Sequence, residues 1–263
     1  MLITIVGGCL TQQGNLPGSA LYHQRLLANL AATGIAAQLA VVRYERLATC
    51  VAKVRAHEAA TPADWLIFHL RTEPLLRPTK LIYRYHAPAG LRARLLLNLP
   101  GRRGAARHNP LCDRPADAYP AACPTDYSTP PRHRPAPALN AWLGALIGNR
   151  RRALRTVLAV LDALAGHAAA AGTRLLVVGP PTRPASAFEN DLARRLDMRA
   201  AAWAARTPAV RYVPLRGEQG EAGRAFFGPN GIHVSAAGHE RIAELLAPNL
   251  TLAGHQSAAR RAA

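Results

Sequence analysis

Paired cysteines are missing from this chain. Its 263 residues hold four cysteines, Cys9, Cys50, Cys112 and Cys123, with no C-x-x-C pair among them. That spacing excludes a zinc site of the usual kind. No metal and no cofactor are expected. Cys112 and Cys123 can bridge only if the chain is exported. Acidic residues are also scarce: 15 Asp and Glu face 33 Lys and Arg, giving a formal charge of +18. Nearly all of the positive charge is arginine. Such a surface attracts nucleic acid, anionic lipid or an acidic partner. Aromatic residues make up only 5% of the chain, however, and none interleave with a basic stripe. A coding bias that fills loops with Ala, Arg and Pro explains the charge more simply, and nucleic-acid binding is not expected. Long apolar runs are absent too. No stretch approaches the roughly 20 uninterrupted apolar residues of a membrane span. No basic n-region or small-residue cleavage site precedes the first turn. The expectation is a cytoplasmic, reduced protein without a transmembrane segment.

What is present is a chain long enough for one α/β domain. A chain of this size buries roughly 70–75% of its unfolded surface, so stability does not require metals or disulfides. Residues 2–8 form a short β-branched run that breaks at Gly7-Gly8. Ser19 is read as the N-cap of a helix over 20–33 that ends at Gly34. A second strand is predicted over 37–42 and a helix over 45–60, closed by Pro62. Residues 64–70 are an apolar run read as a third strand buried on both faces. Residues 75–85 are mixed, with helix as one reading. Over 101–137 the character changes to Pro, Arg, Ala and Gly without periodicity, which reads as a long loop or lid insertion. A helix over 139–171 ends at Gly172. A fourth strand follows over 173–178, a helix over 188–206, a fifth strand over 210–215 and a last helix over 236–246. The domain is thus expected over 1–250, with 251–263 a flexible tail.

This alternation argues for a five-stranded parallel sheet with helices on both faces. Ligands of such sheets bind outside the carboxyl ends of the strands. Cys9 follows the first strand, Arg71 and Glu73 follow the third, and Asn230 and His233 follow the fifth. All should gather at one rim.

Three of these residues suit acyl chemistry. Cys9 comes after a Gly-Gly pair, where the backbone turns tightly and leaves a side chain exposed. It is also read as lying just before a helix, whose N-terminus lowers a thiol pKa and offers amides to an oxyanion. A small buried cysteine is the plainer reading of the same residue. His233 lies in a Gly-Ile-His loop and is a natural general base near neutral pH. Asn230 can accept its Nδ1 proton. A Cys–His–Asn set is competent because a thiolate needs less activation than a hydroxyl. The simpler alternative is that His233 and His239 only cap the helix that starts beside them.

The stretch Asn230-Gly-Ile-His-Val-Ser-Ala-Ala-Gly-His resembles the last block of the SGNH (GDSL-type) hydrolases, Asp-x-x-His followed by Ser/Pro-x-x-Gly-His. The head, Ile-Val-Gly-Gly-Cys9-Leu-Thr, is similar to that family's Gly-Asp-Ser-Leu-Thr, with Cys9 at the serine position. Leu-Leu-Val-Val-Gly-Pro-Pro-Thr-Arg-Pro resembles its fourth strand. The resemblance spans most of the chain outside 101–137. It implies a flavodoxin-like three-layer α/β/α sandwich and ester or acyl chemistry, with Cys9 as nucleophile and His233 as base. The substrate it implies is a small-molecule or carrier-bound acyl group.

Departures from the pattern mark the oxyanion side of the site. Gly8 replaces the aspartate of the first block, and no glycine of the second block is recognisable around residues 42–46. Arg71-Thr-Glu73-Pro aligns with Gly-x-Asn-Asp. An ionised Glu73 cannot donate to an oxyanion, whereas Arg71 can. Gln12, Gln13 and Asn15 are other candidate donors. Equally, Arg71 and Glu73 form a plain ion pair at a strand end. Two classes of function follow: an acyl-transfer enzyme working through an acyl-Cys9 intermediate, or an inactive fold of this kind used for binding or scaffolding.

Overall fold

Five short strands, rich in Val, Ile and Leu, build the centre of the molecule. They are β1 (Leu2–Gly7), β2 (Gln38–Arg43), β3 (Trp65–His69), β4 (Arg174–Val178) and β5 (Val210–Val213). The computed structural model describes residues 1–7, 9–11, 16–44, 47–72, 150–182, 187–216, 226–228 and 234–251. The strands pair in the order β2-β1-β3-β4-β5, all parallel. The expected five-stranded parallel sheet is therefore present. The predicted element at 75–85, the insertion at 101–137 and the helical stretch at 139–149 lie outside the described residues.

Among the described residues, five helices cover the sheet: α1 (Tyr22–Ala32), α2 (Leu47–Ala60), α3 (Arg150–Ala171), α4 (Ala187–Ala204) and α5 (Ala236–Thr251). From β1 the chain steps one way to β2, then returns past β1 to β3, β4 and β5. Right-handed crossovers place α1 on one face and α2, α3 and α4 on the other. The last helix, α5, packs beside α1. Alternation along the strands feeds both layers. Ile3, Ile5, Trp65, Ile67, Leu176 and Val178 meet α1 and α5, whereas Val6, Leu66, Phe68, Leu175 and Val177 meet α2, α3 and α4. All five residues of β3 are buried, as its unbroken apolar run foretells. Each large aliphatic side chain sealed here contributes roughly 1.5–3 kcal/mol.

The helix ends follow local chemistry, with two departures from expectation. The first concerns Ser19, which does not cap α1. It lies in a 3-10 turn, Gly18–Ala20, and the N-cap is Leu21, with no side-chain bond. The second concerns α5, which runs to Thr251 and passes through Pro248. Proline removes one backbone donor near the end of the helix. The Asn249 side chain donates to the Leu245 carbonyl at 2.9 Å, and buried Leu246 and Leu250 hold that turn on the core. Gly172 closes α3 with φ 70°, in the left-handed region where glycine carries no Cβ penalty.

Helix α3 is long and apolar enough, by length and composition, to cross a bilayer. One stripe of its apolar residues nevertheless lies in the core. Val157, Val160, Leu161, Leu164 and Ala168 recur at helical spacing and are all buried. Trp203 of α4 donates from its indole nitrogen to Asp162 of α3 at 2.6 Å, tying the two helices together.

The strand order reverses at β1, so the chain leaves the carboxyl ends of the paired strands β1 and β3 toward opposite faces of the sheet. That switch point is where open α/β sheets form a crevice.

Candidate active site

Cys9 opens a three-residue 3-10 turn, Cys9–Thr11, immediately beyond β1. The turn sits at the switch point. A regular helix does not start there, contrary to the sequence reading, because α1 begins only at Tyr22. The turn is pressed down onto the sheet. A Cβ built on Gly7 would lie 2.8 Å from Thr11 Cγ2 and 3.8 Å from His69 Cδ2. A side chain at this position would have to displace Thr11, which is buried over the glycine.

Tyr44, which follows β2, knits the three strand ends together. Its amide donates to the Gly7 carbonyl at 3.4 Å. Its hydroxyl donates to the His69 carbonyl at 3.1 Å, and its ring stacks on Phe68. No motif marks this role. A tyrosine just past an apolar strand was the one available signal.

Arg71 lies at the same rim, two residues past β3. Its Nη1 donates to the Tyr44 carbonyl at 3.2 Å, and its guanidinium stands 5.5 Å from the centre of the Tyr44 ring. Part of its donor capacity is thus committed to the rim backbone. Glu73, the other half of the proposed ion pair, lies outside the described residues, as do Gln12, Gln13, Asn15, Asn230 and His233.

The loop that carries Asn230 and His233 is fixed at its neck. Phe227 and Val234 form an antiparallel bridge, and both are buried in the α1–α5 core. Ser235 then caps α5, its Oγ accepting from the Gly238 amide at 3.0 Å. This corrects the capping role considered for His239. That residue is fully buried, and its Nδ1 accepts the Tyr22 amide at 3.2 Å. The first turns of α1 and α5 therefore touch. Those helices are fed by the Cys9 and His233 loops respectively.

Burial dominates the electrostatics around this junction. His69 is pushed down to about 3 by desolvation, with smaller contributions from His239 and His23. His239 is pushed down to about 3 in the same way, helped by His23 and Arg25. Both are neutral at physiological pH. Cys50 is sealed in the opposite core layer and its thiol is pushed up to about 12 by burial, which Lys53 and Arg71 offset only in part. It is an inert thiol. Among the described residues no group of three or more His, Cys, Asp or Glu is placed to hold a metal ion.

Comparison with solved structures sets this arrangement in context. TesA superposes with a TM-score of 0.56 over 95% of this chain and 98% of its own, at 16% identity. A catalytic mutant of Axe2, an acetylxylan esterase from Geobacillus stearothermophilus, gives 0.55 over 93% and 91%, at 11% identity. The psychrotrophic esterase EstA from Pseudoalteromonas sp., inhibited by monoethylphosphonate, gives 0.53 over 95% and 96%, at 10% identity. No family model matches the chain. No curated protein matches it in sequence either. At these identities the likeness establishes the fold, an α/β/α sandwich shared with esterases.

Proposed function

We propose that the chain is an acyl-transfer enzyme of the SGNH type, acting on ester or thioester bonds with Cys9 as nucleophile, His233 as base and Asn230 orienting the imidazole. One observation carries this reading. The turn bearing Cys9 occupies the switch point between β1 and β3, and α5, the helix that follows the His233 loop, meets the first turn of α1 through Tyr22 and His239. The solved esterases that share the fold support it.

In the first step His233 takes the thiol proton, and the Cys9 sulfur attacks the acyl carbonyl. The bond to the leaving group breaks, and that group leaves with the proton from His233. Water, an alcohol or an amine then attacks the acyl thioester, gives its proton to His233 and regenerates the thiol. A thioester accepts amines more readily than an oxyester does, so transfer stands beside hydrolysis. Arg71, held at the same rim by its bond to the Tyr44 carbonyl, is the cation assigned to the developing oxyanion. No cofactor is invoked, and the substrate is a small-molecule or carrier-bound acyl group.

The test is intact-mass spectrometry after incubation with a panel of acyl esters and thioesters. The expected result is a mass increase equal to one acyl group, mapped to Cys9 and lost in Cys9→Ala. If Cys9→Ala leaves acyl turnover intact, the Cys9 mechanism is wrong; if the wild type neither becomes acylated nor turns over any panel member, the fold is a binding or scaffolding unit instead.

A further inference from the structure

Beneath the Cys9 turn lies a cluster of buried rings for which packing alone gives no reason. Tyr22 of α1 is at its centre. Its ring centroid is 5.0 Å from that of His69, 5.6 Å from that of His23 and 6.0 Å from that of His239. Tyr22 and His239 are fully buried, and His69 is 1% exposed. Among the described residues, three polar atoms of the cluster find no hydrogen-bond partner: Tyr22 Oη, His69 Nε2 and His23 Nδ1. A buried polar atom without a partner is costly, and native cores avoid it. Phenylalanine at 22 and leucine at 69 would fill comparable space with no such penalty. Polar groups that lower stability and are nonetheless present collect where function needs them.

Their position says what that function is. The Cδ2 edge of His69 lies against Gly7, over which Thr11 of the Cys9 turn is folded. On the other side, Tyr22 donates its amide to His239, four residues past Ser235, the cap that ends the His233 loop. One ring therefore bridges the support of the nucleophile turn and the support of the base loop.

We propose that Tyr22 and His69 are positioning residues that set the Cys9 turn relative to the His233 loop, their polar atoms finding partners in the acylating state rather than at rest. This rests on the acyl-transfer reading above. Hydrogen bonds that form only as the reaction proceeds raise kcat without tightening ground-state binding.

The experiment compares Tyr22→Phe and His69→Leu with the wild type by thermal melting, by kcat and KM on an accepted acyl ester, and by the rate of Cys9 alkylation with iodoacetamide. Glu58→Gln, a buried polar change at the other end of the sheet, is the control. The expected result is a melting temperature unchanged or raised in Tyr22→Phe and His69→Leu. Their kcat should fall about ten- to hundred-fold, the size of loss a small misplacement of reacting groups causes, with KM nearly unchanged. Glu58→Gln should leave kcat alone. Unchanged kcat in both ring variants overturns the proposal, as does an equal fall in the control. If the wild type turns over no acyl substrate, the alkylation rate decides separately. A several-fold change in the ring variants alone keeps the positioning role, an unchanged rate removes it, and a Cys9 that resists alkylation in the folded wild type sinks both readings.

Discussion

The amide of Tyr22 donates to Nδ1 of His239 across 217 residues of sequence. This fixes the tautomer of His239, because an imidazole nitrogen that accepts carries no proton. It also joins the first turn of α1 to that of α5. His239→Phe keeps a ring in the space but leaves the Tyr22 amide buried without an acceptor. The expected loss is about 1–3 kcal/mol of stability, read as a lower urea midpoint with an unchanged slope. A midpoint equal to the wild type would show that the amide finds another acceptor.

The same histidines set a dependence on acid. Both His69 and His239 have folded pKa values near 3, well below the ordinary 6.5. As pH falls below 6.5 the unfolded chain takes up protons that the folded chain refuses, so stability is lost progressively between about pH 6.5 and pH 3. Chemical denaturation at pH 7.5, 6 and 5 should show the midpoint falling in that order. In a His69→Leu, His239→Leu double variant the fall should be shallower. An equally steep fall in that variant would place the acid sensitivity elsewhere.

Glu58 acts in the opposite sense. Its carboxyl, 1% exposed, lies 3.3 Å from His167 Nε2. Burial raises its pKa, and His167 and His57 compensate only in part. Because the folded pKa is above the unfolded one, stability is complete below about pH 4.5 and is lost as pH rises through the folded value. Glu58→Gln removes the charge and keeps the shape. Its stability relative to the wild type should therefore increase from pH 5 to pH 8. A gap that shrinks over that range would mean that the pair with His167 dominates.

Much of this architecture was legible in the chain. Strand runs such as Trp65–His69 are apolar throughout because helices cover both faces, and Gly34 and Gly172 end their helices in the left-handed conformation. The start of α1 was less legible. Ser19 has the chemistry of a cap, yet the chain spends residues 18–20 in a 3-10 turn and enters the helix three residues later. Tertiary contact decides that boundary, since Tyr22 must reach His239. Tyr44 escaped notice for a similar reason. Its role comes from touching the ends of β1 and β3, and nothing in its sequence neighbours reports those contacts. Cys9, Asn230 and His233 are candidates on pattern alone, because a loop motif is local where a packing role is not.

Tyr44→Phe tests the rim. It removes the hydroxyl that donates to the His69 carbonyl while keeping the ring under Arg71. The expected cost is about 1 kcal/mol for one lost hydrogen bond. Acyl turnover should fall by more than that loss of stability explains, because the ends of β1 and β3 lose their common tie. Turnover at the wild-type level, with the stability loss present, would show that Tyr44 serves the fold alone.

Gly7→Ala tests how tightly the Cys9 turn is held down. The new methyl group would meet Thr11 Cγ2 at 2.8 Å, too close for an undisturbed contact, with His69 behind at 3.8 Å. Either Thr11 rotates or the turn lifts. Overpacking of this kind typically costs about 1–3 kcal/mol, and lifting the turn would move Cys9 as well. Thr11→Ala removes the conflicting methyl, so Gly7→Ala with Thr11→Ala should recover much of the stability that Gly7→Ala loses. The measurement is a double-mutant cycle on thermal unfolding, run beside the rate of Cys9 acylation. If the double variant recovers stability but not acylation, Thr11 itself is needed to seat the nucleophile. If it recovers neither, the clash is with the sheet and not with the turn.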